Sequence, residues 1–316
     1  MAPTENIRAK FGRFRILVVG RANAGKTTLL QRVCNTTEKP KIFDRKGKKI
    51  NAAVVQGSVN RGYHNIEDEL VFGSNPDFIF HDSCGFEAGG EEEFKNMKKF
   101  VLERASTIKL KRRIHAIWQA IISVRLYLFI MFYYRYCIPM DEYHRAITKA
   151  EEKFFSECNT SSVPVIAVFT KFDALWDDAY GQLKESGLTR MECKKMAPDK
   201  AKELVANMKI WDRLRDTRYP PKDFVYLAEM DKDNADCRPL LEGTTGALGE
   251  EAMQMLLIST QRTNLALCIE YAVSRELIDH IRKARTIRGP LWLSKDTCAE
   301  MQTRILLWFP HVEVRQ

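Results

Sequence analysis

The stretch from Arg15 to Val33 constrains this chain more than any other. Arg15–Gly20 (RILVVG) is a short apolar, β-branched run that suits a buried parallel strand. Leu29, Leu30 and Val33 then fall on one face of a helix. Between the two, Gly20-Arg21-Ala22-Asn23-Ala24-Gly25-Lys26-Thr27 fits the pattern G-x-x-x-x-G-K-[ST]. Glycines let the backbone curl until successive N–H groups point inward at an anion, and the helix N-terminus adds its partial positive charge. The expected phosphate-binding set is Asn23, Ala24, Gly25, Lys26, Thr27 and Thr28, with Lys26 on the β and γ phosphates and the Thr27 hydroxyl on magnesium.

Downstream, the same alternation repeats. A weak strand ends at Val71 and Phe72, and stronger ones are expected over Asp77–Asp82, Ile114–Trp118, Val165–Thr170 and Phe224–Ala228, with an amphipathic helix over Glu91–Ile108. Strands alternating with helices argue for an α/β fold, a mostly parallel sheet covered on both faces through right-handed crossovers. The fold expected is the three-layer P-loop NTPase architecture, whose ligands bind at strand carboxyl ends. Residues 1–13 read as a polar N-terminal tail and 14–246 as the nucleotide domain. Residues 247–316 read as a helical extension built on Met253, Leu256, Leu257, Leu267, Cys268 and Tyr271, with Ser294 capping a last helix that Pro310 stops.

Two further signatures fall at strand ends. In Thr170-Lys171-Phe172-Asp173 a carboxylate closes an apolar strand. Such a carboxylate can accept two hydrogen bonds at once from the ring N–H and exocyclic amino group of guanine, a donor pair adenine lacks. Thr170, Lys171 and Asp173 are therefore the candidate guanine-binding residues. In Asp82-Ser83-Cys84-Gly85 the pattern is D-x-x-G, with Asp82 expected to hold magnesium through water and Gly85 to meet the γ phosphate. That string recurs at Asp178 to Gly181, but only Asp82 follows a strand.

Composition narrows the setting. Apolar residues make up 45% and charged residues 29%, the balance of a folded chain. Eight cysteines are scattered with no C-x-x-C pair, so reduced thiols are the default, and the first residues lack the apolar stretch of a secretory signal; both favour the cytoplasm. The net charge of +9 resides partly in two short basic runs, Lys39–Lys49 and Lys109–Arg113. Neither carries interleaved aromatics, so no nucleic-acid partner is expected.

GRANAGKTT resembles the GRxNxGKST loop of the translation-factor-type P-loop GTPases. HDSCGFEAG, HAIW, YCIPMD, VFTKFD and WFPH look like further pieces of a fungal group of G-domain-containing proteins within that superfamily. The resemblance implies a magnesium-dependent GTPase switch binding GTP and GDP, with Lys26 and Asn23 in catalytic positions. Asparagine at position 23 in similar proteins helps hold a potassium ion. The chain departs from the pattern twice. Val59 stands in QGSVNRG where relatives have a magnesium-binding threonine, leaving Ser58 as the candidate metal ligand. Phe86 follows Gly85 where Ras-like enzymes carry a water-orienting glutamine. Slow intrinsic hydrolysis follows, with rate supplied by dimerisation, an activating partner or a cation. The alternatives are a GTP-binding scaffold that scarcely hydrolyses, a membrane-associated interaction protein, and an ATP-using P-loop kinase.

One segment interrupts the pattern. After Trp118, where a polar loop is expected, the chain runs QAIISVRLYLFIMFYYR over residues 119–135 before reaching YCIPMD. Ile117 to Tyr134 is barely long enough to span a bilayer, and Arg125 near its middle costs about 2.5 to 3.5 kcal/mol on insertion scales. Removing 119–135 restores HAIWYCIPMD, similar to the uninterrupted strand and loop of the fungal relatives. The leading reading is a translated, unspliced intron, and the others are an unusual hairpin or a membrane-contacting insertion.

Overall fold

The structure is a computed structural model and describes residues 3–21, 24–50, 65–83, 91–122, 149–260, 265–287, 295–306 and 308. Eight strands form one sheet among the described residues: β1 (Phe14–Gly20), β2 (Lys41–Phe43), β3 (Lys49–Ile50), β4 (Glu69–Phe72), β5 (Asn75–Asp82), β6 (Ala116–Ile122), β7 (Val165–Thr170) and β8 (Asp223–Tyr226). Their order is β3-β2-β4-β5-β1-β6-β7-β8. From β5 to β8 every pair is parallel, and the β3-β2-β4-β5 side is antiparallel.

All seven residues of β1 are buried because the sheet is covered on both faces. Leu17 and Val19 face a layer containing Phe94, Met97 and Phe100 of helix Glu91–Ala105, Phe154 and Phe155 of helix Lys149–Glu157, and Ala197 and Ala201 of helix Arg190–Asn207. Phe14, Ile16 and Val18 face the other layer, with Leu29 and Leu30 of helix Lys26–Val33 and Leu240 and Leu241 of helix Arg238–Ala247. Helix Glu251–Thr260 adds Met253, Leu256 and Leu257 to that second layer. The pattern is the period-2 alternation of a strand sandwiched between helices. Helices Leu265–Ile287 and Lys295–Leu306 join the body through a smaller cluster, Ile258, Cys268, Ala272 and Trp308.

The fold is thus the three-layer P-loop arrangement with C-terminal helices. Three local differences from the sequence reading have physical causes. Where a polar tail was expected, Pro3–Phe11 is a helix: Ile7 and Phe11 are four residues apart and turn one apolar stripe onto the second layer, and Arg8 donates to the Ser259 carbonyl at 2.6 Å. Helix Glu91–Ala105 stops short of Ile108, which is almost wholly exposed. Finally β6, expected to end at Trp118, runs on to Ile122. Ala120 then lies beside Gly20 and Ile122 beside Thr170. The first four residues of the 119–135 segment therefore sit inside the sheet, and 123–135 lie outside the described residues.

Burial pushes the thiols of Cys34, Cys158, Cys237 and Cys268 up to about 12, so they pack as small apolar groups. No helix among the described residues is long and apolar enough to cross a membrane.

Candidate nucleotide site

The carboxyl ends of β1, β5 and β7 converge on one face of the sheet, and each brings one of the sequence signatures. β1 ends at Gly20, whose φ is 156°. A Cβ there would lie 2.7 Å from the Ala120 carbonyl oxygen, so close passage of β6 requires glycine. Gly25 (φ 76°) is the left-handed residue from which helix Lys26–Val33 starts.

Lys26 is 9% exposed and donates from Nζ to the carbonyls of Gly20 and Arg21, 3.0 Å each. Its Nζ also stands 3.9 Å from Asp82 Oδ1 at the end of β5. The ammonium is thus held at the mouth of the loop beside a carboxylate, the arrangement needed for an anion and a cation to share one site. Thr27 is exposed in the first turn of the helix. A hydroxyl and a carboxylate are hard oxygen donors, which suits magnesium, an ion that keeps much of its shell for water and phosphate.

The third signature is tied directly to the first. Thr170 Oγ1 donates to the Ala24 carbonyl at 2.9 Å, with the Ile121 carbonyl at 3.2 Å. Thr170, expected beside the base, thus turns its hydroxyl to the phosphate loop. Lys171 follows in the left-handed region (φ 53°), which swings the chain into the short helical turn Phe172–Leu175. Asp173 lies on that turn, half-buried, and its Oδ1 accepts from the Glu229 N–H at 2.8 Å. The Phe172 N–H donates to the Leu227 carbonyl at 3.0 Å, so the stretch after β8 is bonded to the Phe172–Leu175 turn at two points.

Several residues that sequence reasoning passed over shape this site. Arg21, an unspecified position in the loop pattern, donates to Glu151 on helix Lys149–Glu157 at 2.9 Å. That carboxylate is 1% exposed, so its only sensible state is paired. His81, next to Asp82 in β5, is fully buried between Arg15 and the Ile66 carbonyl. Burial, reinforced by Arg15 and Arg104, pushes its imidazole down to about 3. Since the carbonyl can only accept, Nδ1 carries the proton and Nε2 faces Arg15. Glu67 pairs with Arg104 and Glu69 with Arg15 at 2.7 Å, fixing the stretch that leads into β4. None of these partners is near in sequence, and no local pattern announces them.

Ala22, Asn23, Ser58, Gly85 and Phe86 lie outside the described residues.

The fold is that of a P-loop GTPase domain, with the G-x-x-x-x-G-K-[ST] segment after β1 and the Thr170-Lys171-Phe172-Asp173 segment at the end of β7. Residues 15–171 match the model of the family described as 50S ribosome-binding GTPase. No curated protein matches the chain. Solved structures similar to it include a mutation variant of SsGBP, 14% identical over 78% of this chain and 58% of that one, TM-score 0.35. A GTP-binding protein from the hyperthermophilic archaeon Sulfolobus solfataricus in complex with GDP is 13% identical over 77% of this chain and 54% of that one, TM-score 0.31. S. thermophilus NFeoB E67A bound to GDP.AlF4- is 13% identical over 93% of this chain and 90% of that one, TM-score 0.31. The chain spans little more than half the length of the first two. Similarities of this size say nothing about chemistry, which the site's own residues carry.

Proposed function

We propose that this chain is a magnesium-dependent switch that binds GTP and GDP and hydrolyses GTP slowly. The observation that carries the reading is the hydrogen bond from Thr170 Oγ1 to the Ala24 carbonyl, 2.9 Å. It fastens the phosphate loop to the strand end that presents Asp173, so one ligand with a polyphosphate at one end and guanine at the other fits both.

In this reading Lys26 leaves the Gly20 and Arg21 carbonyls for the β and γ phosphates, and the backbone around Ala24, Gly25, Thr27 and Thr28 cradles them. Thr27, Asp82 through water, and Ser58 would hold magnesium, which neutralises phosphate charge when bound. Lys171 supports the base-reading turn, and Asp173 selects the base. The GTP and GDP states would differ around residues 56–66 and 82–93. Phe86 cannot orient a water and Val59 offers no metal ligand, which supports slow turnover. The same two residues favour a second reading, a GTP-binding scaffold; turnover indistinguishable from background would select it. Asn23 supports a potassium ion beside the phosphates, and equal rates in potassium and sodium at matched ionic strength would remove that ion. The signature segments support placement among the translation-factor-type GTPases and their fungal group. Scattered unpaired cysteines fit a cytoplasmic setting.

The deciding experiment measures affinity for GTP, GDP, ATP and XTP with and without magnesium. Strong preference for guanine nucleotides is expected, with Asp173→Asn moving preference toward xanthine. Equal binding of ATP refutes the reading.

Within the 119–135 segment, the retained-intron reading is tested by transcript sequencing. Mature message containing only the longer form would overturn it.

A further inference from the structure

Arg32 lies in the last turn of helix Lys26–Val33 and reaches the loop after β8, nearly two hundred residues away in sequence. Its Nε donates to the Met230 carbonyl at 2.9 Å and its Nη2 to the Asp231 carbonyl at 2.9 Å. A third contact, Nη1 to Asp233 Oδ1 at 3.6 Å, involves a carboxylate that is fully exposed, so it adds little. The two carbonyl bonds matter more, because a guanidinium is a rigid planar fork and adjacent carbonyls engage both of its tines. Arg32 itself is only 15% exposed.

The residue immediately before that grip is Glu229. Its φ of 53° is a conformation that non-glycine residues adopt only where the surroundings enforce it. Its N–H is the one that meets Asp173 Oδ1 at 2.8 Å. A chain of contacts therefore runs from the helix that begins at the phosphate-binding lysine, through Arg32, to the backbone of Met230 and Asp231, then Glu229, then the Asp173 carboxylate. We infer that Arg32 is a positioning residue for base selection: by holding the 230–231 backbone it keeps the Glu229 N–H on Asp173 and so fixes the plane of that carboxylate. This rests on the reading of Asp173 as the guanine acceptor.

The chemistry supplies a direct readout. Guanine offers a ring N–H and an exocyclic amino group to a correctly oriented carboxylate, whereas hypoxanthine offers the ring N–H alone. The ratio of GDP to IDP affinity thus reports the second hydrogen bond, and damage on the phosphate side lowers both affinities together.

The test measures dissociation constants for GDP, IDP and ADP with the wild-type chain and with Arg32→Ala, Arg32→Lys and Lys26→Ala. Wild type should prefer GDP over IDP about tenfold or more, the size of one hydrogen bond to a charged acceptor. Arg32→Ala should bring the ratio to within about threefold, while Arg32→Lys, which reaches one carbonyl, should fall between. Lys26→Ala should weaken GDP and IDP equally. An unchanged ratio in Arg32→Ala overturns the inference, even if both affinities drop. Should that variant fail to fold by circular dichroism, Arg32→Lys decides by the same ratio. A wild-type chain that binds GDP no tighter than ADP sinks the guanine reading and this inference together. A wild type that discriminates while the Arg32 variants discriminate equally well sinks this inference alone.

Discussion

Replacing Thr170 by valine keeps the side-chain shape and deletes one hydroxyl. Thr170 is 3% exposed and its hydroxyl has one proton, which goes to the Ala24 carbonyl at 2.9 Å, with the Ile121 carbonyl at 3.2 Å as its alternative. Valine leaves a carbonyl of the buried Ala24 without its donor, at a cost of about 1 to 3 kcal/mol for an unsatisfied buried group. For a domain of this size each kcal/mol lowers the melting temperature by roughly 2 to 4 °C, so Thr170→Val should melt about 2 to 12 °C lower. The hydroxyl braces the phosphate loop, so loosening it should weaken GDP, ADP and inorganic pyrophosphate by a similar factor, about fivefold or more. The assay pairs thermal melts with titration calorimetry for those three ligands, and Thr170→Ser, which restores the hydroxyl, should recover both. Weaker GDP binding with an unchanged melt and unchanged pyrophosphate affinity would mean that Thr170 contacts the base, and the bracing argument would be wrong.

Gly20→Ala should destabilise the fold by at least about 2 kcal/mol, because its Cβ would sit 2.7 Å from a backbone oxygen of β6; denaturant midpoints check this, and a neutral result would mean that the two strands separate freely. His81 and His115 are both pushed down to about 3 by burial, whereas an unfolded imidazole protonates near 6.5. Their contribution is therefore present above about pH 6.5 and is lost as pH falls toward 3. By pH 5 each should have cost about 2 kcal/mol, read as falling melts in acid that flatten when both are replaced by glutamine. Gln119 is fully buried in β6 and neither end of its amide has a partner among the described residues. Gln119→Leu should raise stability by about 1 to 3 kcal/mol; a lower melting temperature would show that the amide is satisfied.

Legibility tracked the range of the interactions involved. Gly25 announces its turn because its φ of 76° is a left-handed conformation that local sterics favour for glycine, and Leu29, Leu30 and Val33 announce a helix by spacing. β7 was legible to the residue, since VIAVF is a continuous apolar run bounded by Pro164 on one side and by Thr170 and Lys171 on the other. β6 was not, because QAII continues the apolar run and nothing in the chain marks where pairing with Gly20 and Thr170 stops. The short helix at Pro3–Phe11 was missed because two apolar residues in a polar stretch become a stripe only when a partner layer exists to cover them.

By itself the sequence determined the local turns and strand ends: where a glycine lets the backbone turn from β1 into its helix, and which carboxylates end or follow a strand. These follow from backbone freedom and side-chain charge within a few consecutive positions. Tertiary structure decided everything that joins distant segments: Thr170 on Ala24, Arg21 on Glu151, and Arg32 on the loop that holds Asp173. Such pairs depend on which strands are neighbours and in what register, and hydrogen bonds at about 3 Å leave no trace in the order of the residues they connect.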